Sequence, residues 1–437
     1  MKKLLLASII GLASTTSFAS GSTTPVISSS DSEIKLEGFY LFESGFSNQN
    51  RLGEFENLSD NRKKTAFYTE AAFAATITKT INDVIGGVKI VLQPTTRSKT
   101  STSYNGSHIF IETSYGKVEL GSPYDAGNKL RITGGQVAAG SGGYWRYINV
   151  GSKYMKYNNR SKPDFDTSPS FYIESFSNNF DEFNVKAEAA RKISFYTPKM
   201  KGFQAGISYT PDSANTGGNK NINNVIFDNS ITGTTSVRTG IKPNLVENDE
   251  IITINQNVTD SLSGGLTYEH ALGEDADLKL SVTGEYGKPA RLAVRSKVID
   301  KTYTVLDTYK LSNLKAYNLG AVFTYGNFSC GASYGSLGKS LTTPQYHKNG
   351  RNTYYYNGAI AYGQGPIKTS LSYFKSSRYK NTVDTITVAT EYKIMPGLLP
   401  YAEISHFQAK GKPVYYPEAP NKKTKGTVGL IGTKLKF

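Results

Sequence analysis

Apolar and polar residues alternate in short runs along most of the chain. In Ile34-Lys35-Leu36-Glu37-Gly38-Phe39-Tyr40-Leu41-Phe42-Glu43, the residues Lys35, Glu37 and Glu43 share one face, while Ile34, Leu36, Tyr40 and Phe42 share the other. The division recurs in 278–286, where Leu278, Leu280, Val282 and Tyr286 oppose Lys279, Ser281, Thr283 and Glu285. It recurs again in 367–375, with Ile367, Leu371 and Tyr373 opposed to Lys368, Ser370 and Ser372. A period of two marks a β-strand between two different media. A water-filled interior accounts for the charged face and lipid for the apolar one.

Connections alternate between tight turns and long polar loops. The turns are Ile81-Asn82-Asp83, Ser114-Tyr115-Gly116, Pro198 to Lys201, Gly273 to Ala276, Gly326-Asn327, Gly363 to Pro366 and Met395-Pro396-Gly397, set by residues that favour turn geometry. Tight turns at one end and long loops at the other are the habit of a transmembrane barrel. The expected strands lie near 34–46, 65–78, 83–92, 107–113, 116–121, 191–197, 202–210 and 261–271, then 276–286, 314–325, 327–335, 353–362, 366–375, 383–393, 398–408 and 425–437. The expected fold is therefore all-β, a transmembrane antiparallel barrel of about sixteen strands over residues 34–437, an even number as such barrels require. Counting Ile251 to Ile254 and Leu292 to Val298 as strands gives about eighteen instead.

The N-terminus changes the picture by adding export. Met1-Lys2-Lys3 precedes an apolar run from Leu4 to Ala13, and Ser17-Phe18-Ala19 has the small residues of a cleavage site, so residues 1–19 are expected to be a removed signal peptide. The run is too short for a membrane helix. A Ser/Thr-rich stretch follows, and residues 20–33 are expected to be flexible. Overall hydropathy is negative, which a barrel tolerates because each strand averages its two faces. There are 30 Tyr and 21 Phe, and the amphipathic Tyr ring suits a membrane interface. Cys330 is the sole cysteine, so stability must come from the closed ladder and not from an intrachain disulfide.

The formal charge is +15, of which Lys2 and Lys3 leave with the signal. A basic excess often indicates nucleic acid. Export and the spread of the bases along loops and strand interiors point instead to an anion-attracting lumen or an anionic membrane surface.

The longest stretch without alternation runs from Ser122 to Ala190, too long for an ordinary connection, so it has a role or is disordered. It holds Gly121-Ser122-Pro123-Tyr124-Asp125-Ala126-Gly127-Asn128-Lys129-Leu130-Arg131-Ile132 and Gly142-Gly143-Tyr144-Trp145-Arg146-Tyr147. Together with Ile193-Ser194-Phe195-Tyr196-Thr197-Pro198 and the run Gly202 to Asp212, this segment resembles the Gram-negative general diffusion porins, and the likeness spans essentially the whole mature chain. The resemblance implies a sixteen-stranded barrel, usually trimeric, with the third extracellular loop folded into the lumen to narrow it. By position, residues 122–190 are that constriction loop. The resemblance also implies that the alternating end of the chain, through Leu435 to the terminal Phe437, is a signal for the outer-membrane assembly machinery; Leu430 departs from the polar residue usual at its place.

In such porins acidic groups on the inward loop face basic groups on the wall, and the field between them orients dipolar solutes. The matching candidates are Asp125, Lys129, Arg131 and Arg146 on the loop, with Lys89 and Lys192 on the wall at lumen parity. Solvated charge without a steering role is the competing account of each. Lys153, Lys156, Arg160 and Lys162 make the loop basic, which goes against the usual acidic loop and tilts the expectation toward weak anion preference.

Catalytic patterns carry little weight here. Gly331-Ala332-Ser333-Tyr334-Gly335 fits G-x-S-x-G, but that motif works at a strand-to-helix elbow, and a polar loop follows. Ser405 and His406 are adjacent on a strand and point to opposite faces, so His406 is read as structural. Four histidines and one cysteine offer no compact zinc site. Asp164 and Asp166 have oxygen ligands suited to Ca²⁺ without the spacing of a known loop.

These observations predict a passive pore in the outer-membrane lipid for ions and small hydrophilic solutes, weakly anion-preferring, homotrimeric, with no catalytic activity, no cofactor and no nucleic-acid partner. Two alternatives stay open. One is a substrate-selective channel with a saturable site near Tyr144, Trp145 and Arg146. The other is a surface adhesin or receptor whose binding surface is carried by the loops Pro211 to Asp260 and Pro289 to Asn313.

Overall fold

A computed structural model describes residues 26–28, 31–49, 65–94, 102–104, 106–141, 190–213, 250–253, 258–290, 293–299, 302–342, 352–378, 381–411 and 422–437. The signal peptide, Tyr144, Trp145, Arg146, Lys153, Lys156, Arg160, Lys162, Asp164 and Asp166 lie outside the described residues. The strands in chain order are β1 (Val26–Ser28), β2 (Ser32–Gln49), β3 (Thr65–Ile81), β4 (Val84–Pro94), β5 (Thr102–Tyr104), β6 (His108–Thr113), β7 (Gly116–Gly121), β8 (Lys192–Tyr196), β9 (Phe203–Asp212) and β10 (Glu250–Thr253). They continue as β11 (Val258–Ala271), β12 (Ala276–Pro289), β13 (Ala293–Ile299), β14 (Thr302–Tyr309), β15 (Leu314–Tyr325), β16 (Phe328–Gly338), β17 (Thr353–Gln364), β18 (Ile367–Arg378), β19 (Asn381–Tyr392), β20 (Leu398–Gly411) and β21 (Lys422–Lys436). Between β7 and β8 lie one helical turn, α1 (Ala126–Lys129), and a 3₁₀ turn over Gly134–Val137.

Sixteen strands close into an antiparallel barrel: β2–β4, β6–β9, β11, β12 and β15–β21. Each pairs with its sequence neighbours, and β2 meets β21 to complete the ring, with Tyr40 opposite Leu435 and Glu43 opposite Gly432. Closure satisfies the backbone N–H and C=O groups of every strand without leaving an edge, the condition for β-structure in lipid. β5 prolongs the pairing of β4 beyond the end of β6.

The alternation read from the sequence is the inside-outside alternation of the wall. Phe67, Ile207, Val282, Ile360, Ile404 and Ile431 point outward and are exposed, while Ser194, Ser208, Ser281, Thr387 and Ser405 point inward and are buried. An apolar band of this extent is untenable in water and suits a hydrocarbon solvent. The tight turns fall where expected, with Asn82 and Gly326 taking the left-handed conformation at φ 54° each.

Two details differ from expectation. Val26–Ser28, in the stretch expected to be flexible, adds to β2 opposite Glu33, Ile34 and Lys35, beside the part of β2 that β21 does not reach. The residues that raised the count to eighteen form no wall: β10, β13 and β14 build a separate three-stranded sheet from the long loops. Their alternation is real, but local pairing in a loop satisfies it as well as the barrel does.

Candidate functional site

After β7 the chain from Ser122 to Ser141 turns inward. From Ala126 to Ser141 its backbone N–H groups donate one after another to inward side chains on successive strands. Ala126 donates to Ser208 Oγ on β9 at 2.7 Å. Gly127 donates to Ser263 Oγ on β11 at 3.1 Å, and Ile132 to Ser281 Oγ on β12 at 2.9 Å. Gly134 donates to Asn357 Oδ1 on β17 at 3.0 Å. Ala139 donates to Ser370 Oγ on β18 at 2.8 Å, Gly140 to Glu391 Oε2 on β19 at 3.1 Å, and Ser141 to Glu403 Oε2 on β20 at 3.0 Å. Lys434 on β21 donates its ammonium to the Gly140 carbonyl. The segment thus follows a rail of polar side chains around the inner wall from β9 to β21.

The wall supplies short side chains where the segment comes close. A Cβ on Gly320 of β15 would overlap the Ile132 carbonyl, and one on Gly331 of β16 would lie 3.1 Å from the Gly134 Cα. Ile132, Val137 and Ala138 then pack on Val322 and Ala359 of the wall. The G-x-S-x-G run finds its role here: Gly331 makes room for Gly134, and Ser333 hydrogen-bonds Asn357, which receives the Gly134 N–H. Ser333 sits in mid-strand on β16, without the elbow a nucleophile needs. His406 points outward and bonds Thr427 Oγ1 at 3.1 Å.

Charged groups gather at the two ends of the rail. At the first end, Lys129 of the segment pairs with Glu119 of the wall, which also lies 3.2 Å from Lys117 and 3.7 Å from His108. Burial pulls the Lys129 ammonium below its ordinary value, and the Glu119 carboxylate opposes that shift. Lys89 lies 3.5 Å from Glu37, which pairs with Lys35 at 2.8 Å. At the other end Glu391, Glu403 and Lys434 hold Gly140 and Ser141, and Ser141 Oγ donates to Glu403 at 2.6 Å.

The expected candidates fall into different roles. Asp125 is buried, caps α1 by accepting the Asn128 N–H at 3.0 Å, and accepts from Ser263. Lys192 is buried with its ammonium on the carbonyls of Pro123 (2.8 Å) and Ala190 (2.7 Å), where it joins the start of the inward segment to the root of β8. Lys89, Lys129 and Arg131 stand on or beside the segment, Arg131 half-buried; Arg146 lies outside the described residues. The polarity implied by resemblance is inverted at the closest pair, where the base (Lys129) is on the segment and the acid (Glu119) on the wall. Glu119, Glu391, Glu403 and Lys434 were not among the candidates. Their signal is lumen parity within a strand, where a buried charge is costly unless it has a partner.

The description of Gram-negative porins matches residues 9–412. A protein of Rickettsia bellii (strain RML369-C) is 97% identical over 437 residues, covering 100% of both chains. One of Rickettsia felis (strain ATCC VR-1525 / URRWXCal2) is 73% identical over 441 residues, again covering 100% of both. Among solved structures, the loop L8 deletion mutant of OmpT, an outer membrane protein of Vibrio cholerae, superposes with a TM-score of 0.52 at 11% identity, over 93% of this chain and 100% of its own. An anion-selective porin from Comamonas acidovorans gives a TM-score of 0.50 at 13% identity, over 93% and 100%. At such identities the likeness is one of fold.

Proposed function

The chain belongs to the Gram-negative porin family, and from that premise we propose that its lumen carries ions and small hydrophilic solutes by passive diffusion, with a weak preference for anions. It is an outer-membrane, multi-pass β-barrel of the porin type. The observation that carries the reading is the segment on its rail, which occupies part of the lumen and brings Lys129 and Arg131 there without full burial. Partly exposed inward bases, Lys35 and Lys117 among them, line the path, each paired with a wall carboxylate, which is why the preference is weak.

Planar-bilayer recording of refolded protein tests this. Discrete conductance steps are expected, with a reversal potential of anion-selective sign across a dilute salt gradient. Absence of steps from correctly folded protein overturns the pore, and a cation-selective sign overturns the preference alone. With the pore go three companion proposals: cleavage after Ala19, assembly as a homotrimer, and recognition of Leu435 and Phe437 by the assembly machinery. Intact mass, native molecular weight and in vivo assembly of Phe437→Ala read them separately.

The three-stranded sheet of β10, β13 and β14 favours a second reading, in which the long loops present a recognition surface. Deleting residues 293–309 should then abolish cell-surface binding while conductance is retained.

A further inference from the structure

The outward face of the last four strands carries its charge at one end only. Near the short turns the residues of outward parity on β18–β21, such as Ile367, Thr390, Leu398 and Leu435, include no charged side chain. Near the long loops the same strands carry Lys375, Lys410, Lys423 and Lys425 against one acid, Asp384. Asp384 is already engaged, by the Tyr373 hydroxyl at 3.0 Å and by the Lys375 ammonium at 3.1 Å. Lys410 and Lys423 stand directly opposite each other in the ladder, and Lys425 follows two residues on, on the same face. All three are exposed, and among the described residues none has a carboxylate within ion-pair distance. Like charges opposed across two strands repel, a cost that an anion between them removes.

We propose that this patch holds the phosphorylated headgroup of a lipid of the outer leaflet, with an acyl chain of that lipid lying down the wall beneath it. Position selects a lipid over a free anion, because the patch is on the face that meets the membrane and at the end where the long, extracellular loops begin. Lysine suits that level, since its stem packs on apolar wall while the ammonium reaches up to the phosphate. The wall below has room for a chain. Gly429 follows Lys425 on the outward face of β21, about 13 Å further down at strand rise, and a Cβ there would meet nothing within 4 Å. Its cross-strand neighbours are Phe46 of β2 and Ile404 of β20, both outward and 51% and 63% exposed. The missing side chain thus opens a shallow apolar furrow between two large ones, leading away from the lysines. Between furrow and lysines stand His406 and Thr427, hydrogen-bonded to each other at 3.1 Å, at the level where the hydroxyl and ester groups of a lipid fall. The proposal concerns the outer face and stands whether or not the barrel conducts.

Refolded barrel in detergent, verified by heat-modifiable mobility, is incubated with diphosphoryl lipid A and, separately, with phosphatidylcholine, and native mass spectrometry counts the lipid retained per barrel. Lipid A is expected to be retained and phosphatidylcholine lost. The double variant Lys410→Gln/Lys423→Gln should lower retention of lipid A severalfold. Lys79→Gln/Lys393→Gln, which removes the same charge from exposed positions at the short-turn end, should leave it unchanged. Gly429→Leu should lower it with every lysine in place; should that variant fail to fold, Gly429→Val is the milder filling. Retention that the Lys410/Lys423 variant does not alter overturns the proposal, as does equal loss in the two charge variants, since net charge alone then holds the lipid. Full retention in the folded Gly429 variant overturns the furrow. Displacement of the lipid by inorganic phosphate alone overturns the choice of a lipid over a free anion. A change of oligomer mass in the Lys410/Lys423 variant, with lipid retention unaltered, would mark the face as a contact between copies of the chain and overturns the proposal too.

Discussion

Phe437 is seated on Gly38. The Gly38 N–H donates to the terminal Phe437 oxygen at 3.0 Å, the Phe437 N–H returns a bond to the Gly38 carbonyl at 3.1 Å, and a Cβ on residue 38 would come within 2.6 Å of the Phe437 ring. The last residue thus completes the ladder that joins the final strand to the first, and its ring covers a backbone that has no side chain of its own. Gly38→Val should displace the ring and lower stability by about 1–3 kcal/mol, read as an earlier heat-modifiable transition. Phe437→Ala should act through the same contact, so the double variant should fall short of the sum of the two. Strict additivity would show that ring and glycine act independently.

Gly320 decides how close the inward segment can lie. Its missing side chain is the space taken by the Ile132 carbonyl, and the adjacent Ile132 N–H is bonded to Ser281. Gly320→Ala should push the segment off the wall between β12 and β16 while the barrel still folds. Unitary conductance should change, or acquire sub-states absent from the native channel. An identical current record in folded protein would place this part of the segment outside the conducting path.

Strands and closure were legible because period-two alternation is imposed by the two solvents of the wall: Lys35, Glu37 and Glu43 do face inward, and Ile34, Leu36 and Phe42 outward. The rail was not legible, because a serine that receives a loop N–H, such as Ser208 or Ser370, has the same parity and residue type as one that merely faces water. Asp125 and Lys192 were found by charge and position, yet both serve to hold the segment, a role fixed by where Ser263 and the Pro123 carbonyl arrive in space. Glu391 and Glu403 escaped notice for a related reason. Their partners are the backbone of Gly140 and the backbone and side chain of Ser141, distant by hundreds of positions in the chain, and no local pattern announces them.

The clasp at Ser141 should therefore be sensitive to chemistry at Glu403, which accepts both the Ser141 N–H and its hydroxyl. Glu403→Ala leaves three donors, the Ser141 N–H and hydroxyl and the Ser405 hydroxyl, to find other partners and should cost about 1–3 kcal/mol locally. Glu403→Gln keeps one acceptor oxygen and should cost less. Frequency of current fluctuations in single-channel records checks the order: native least, Gln intermediate, Ala most. Equal noise in all three would mean that the carboxylate does not restrain the segment.

Selectivity offers the sharpest test of the charge arrangement at the other end of the rail. Lys129 balances Glu119 together with Lys117, so Lys129→Gln leaves the carboxylate beside one lysine instead of two. The lumen then loses one positive charge at the segment, and the zero-current potential should move toward cation preference. Screening sets how the effect varies: the Debye length is about 30 Å at 0.01 M salt and about 3 Å at 1 M, so the shift should be large in dilute salt and nearly gone in concentrated salt. Lys199 makes a comparable pair with Glu269, at the short-turn rim and half exposed, which makes Lys199→Gln the matched control. Its shift should be much smaller, because charge at an open rim is screened by bulk solvent while charge in a narrow lumen is focused by the low-dielectric wall. Equal shifts from the two variants would mean that net charge, and not the position of Lys129 on the inward segment, sets the preference.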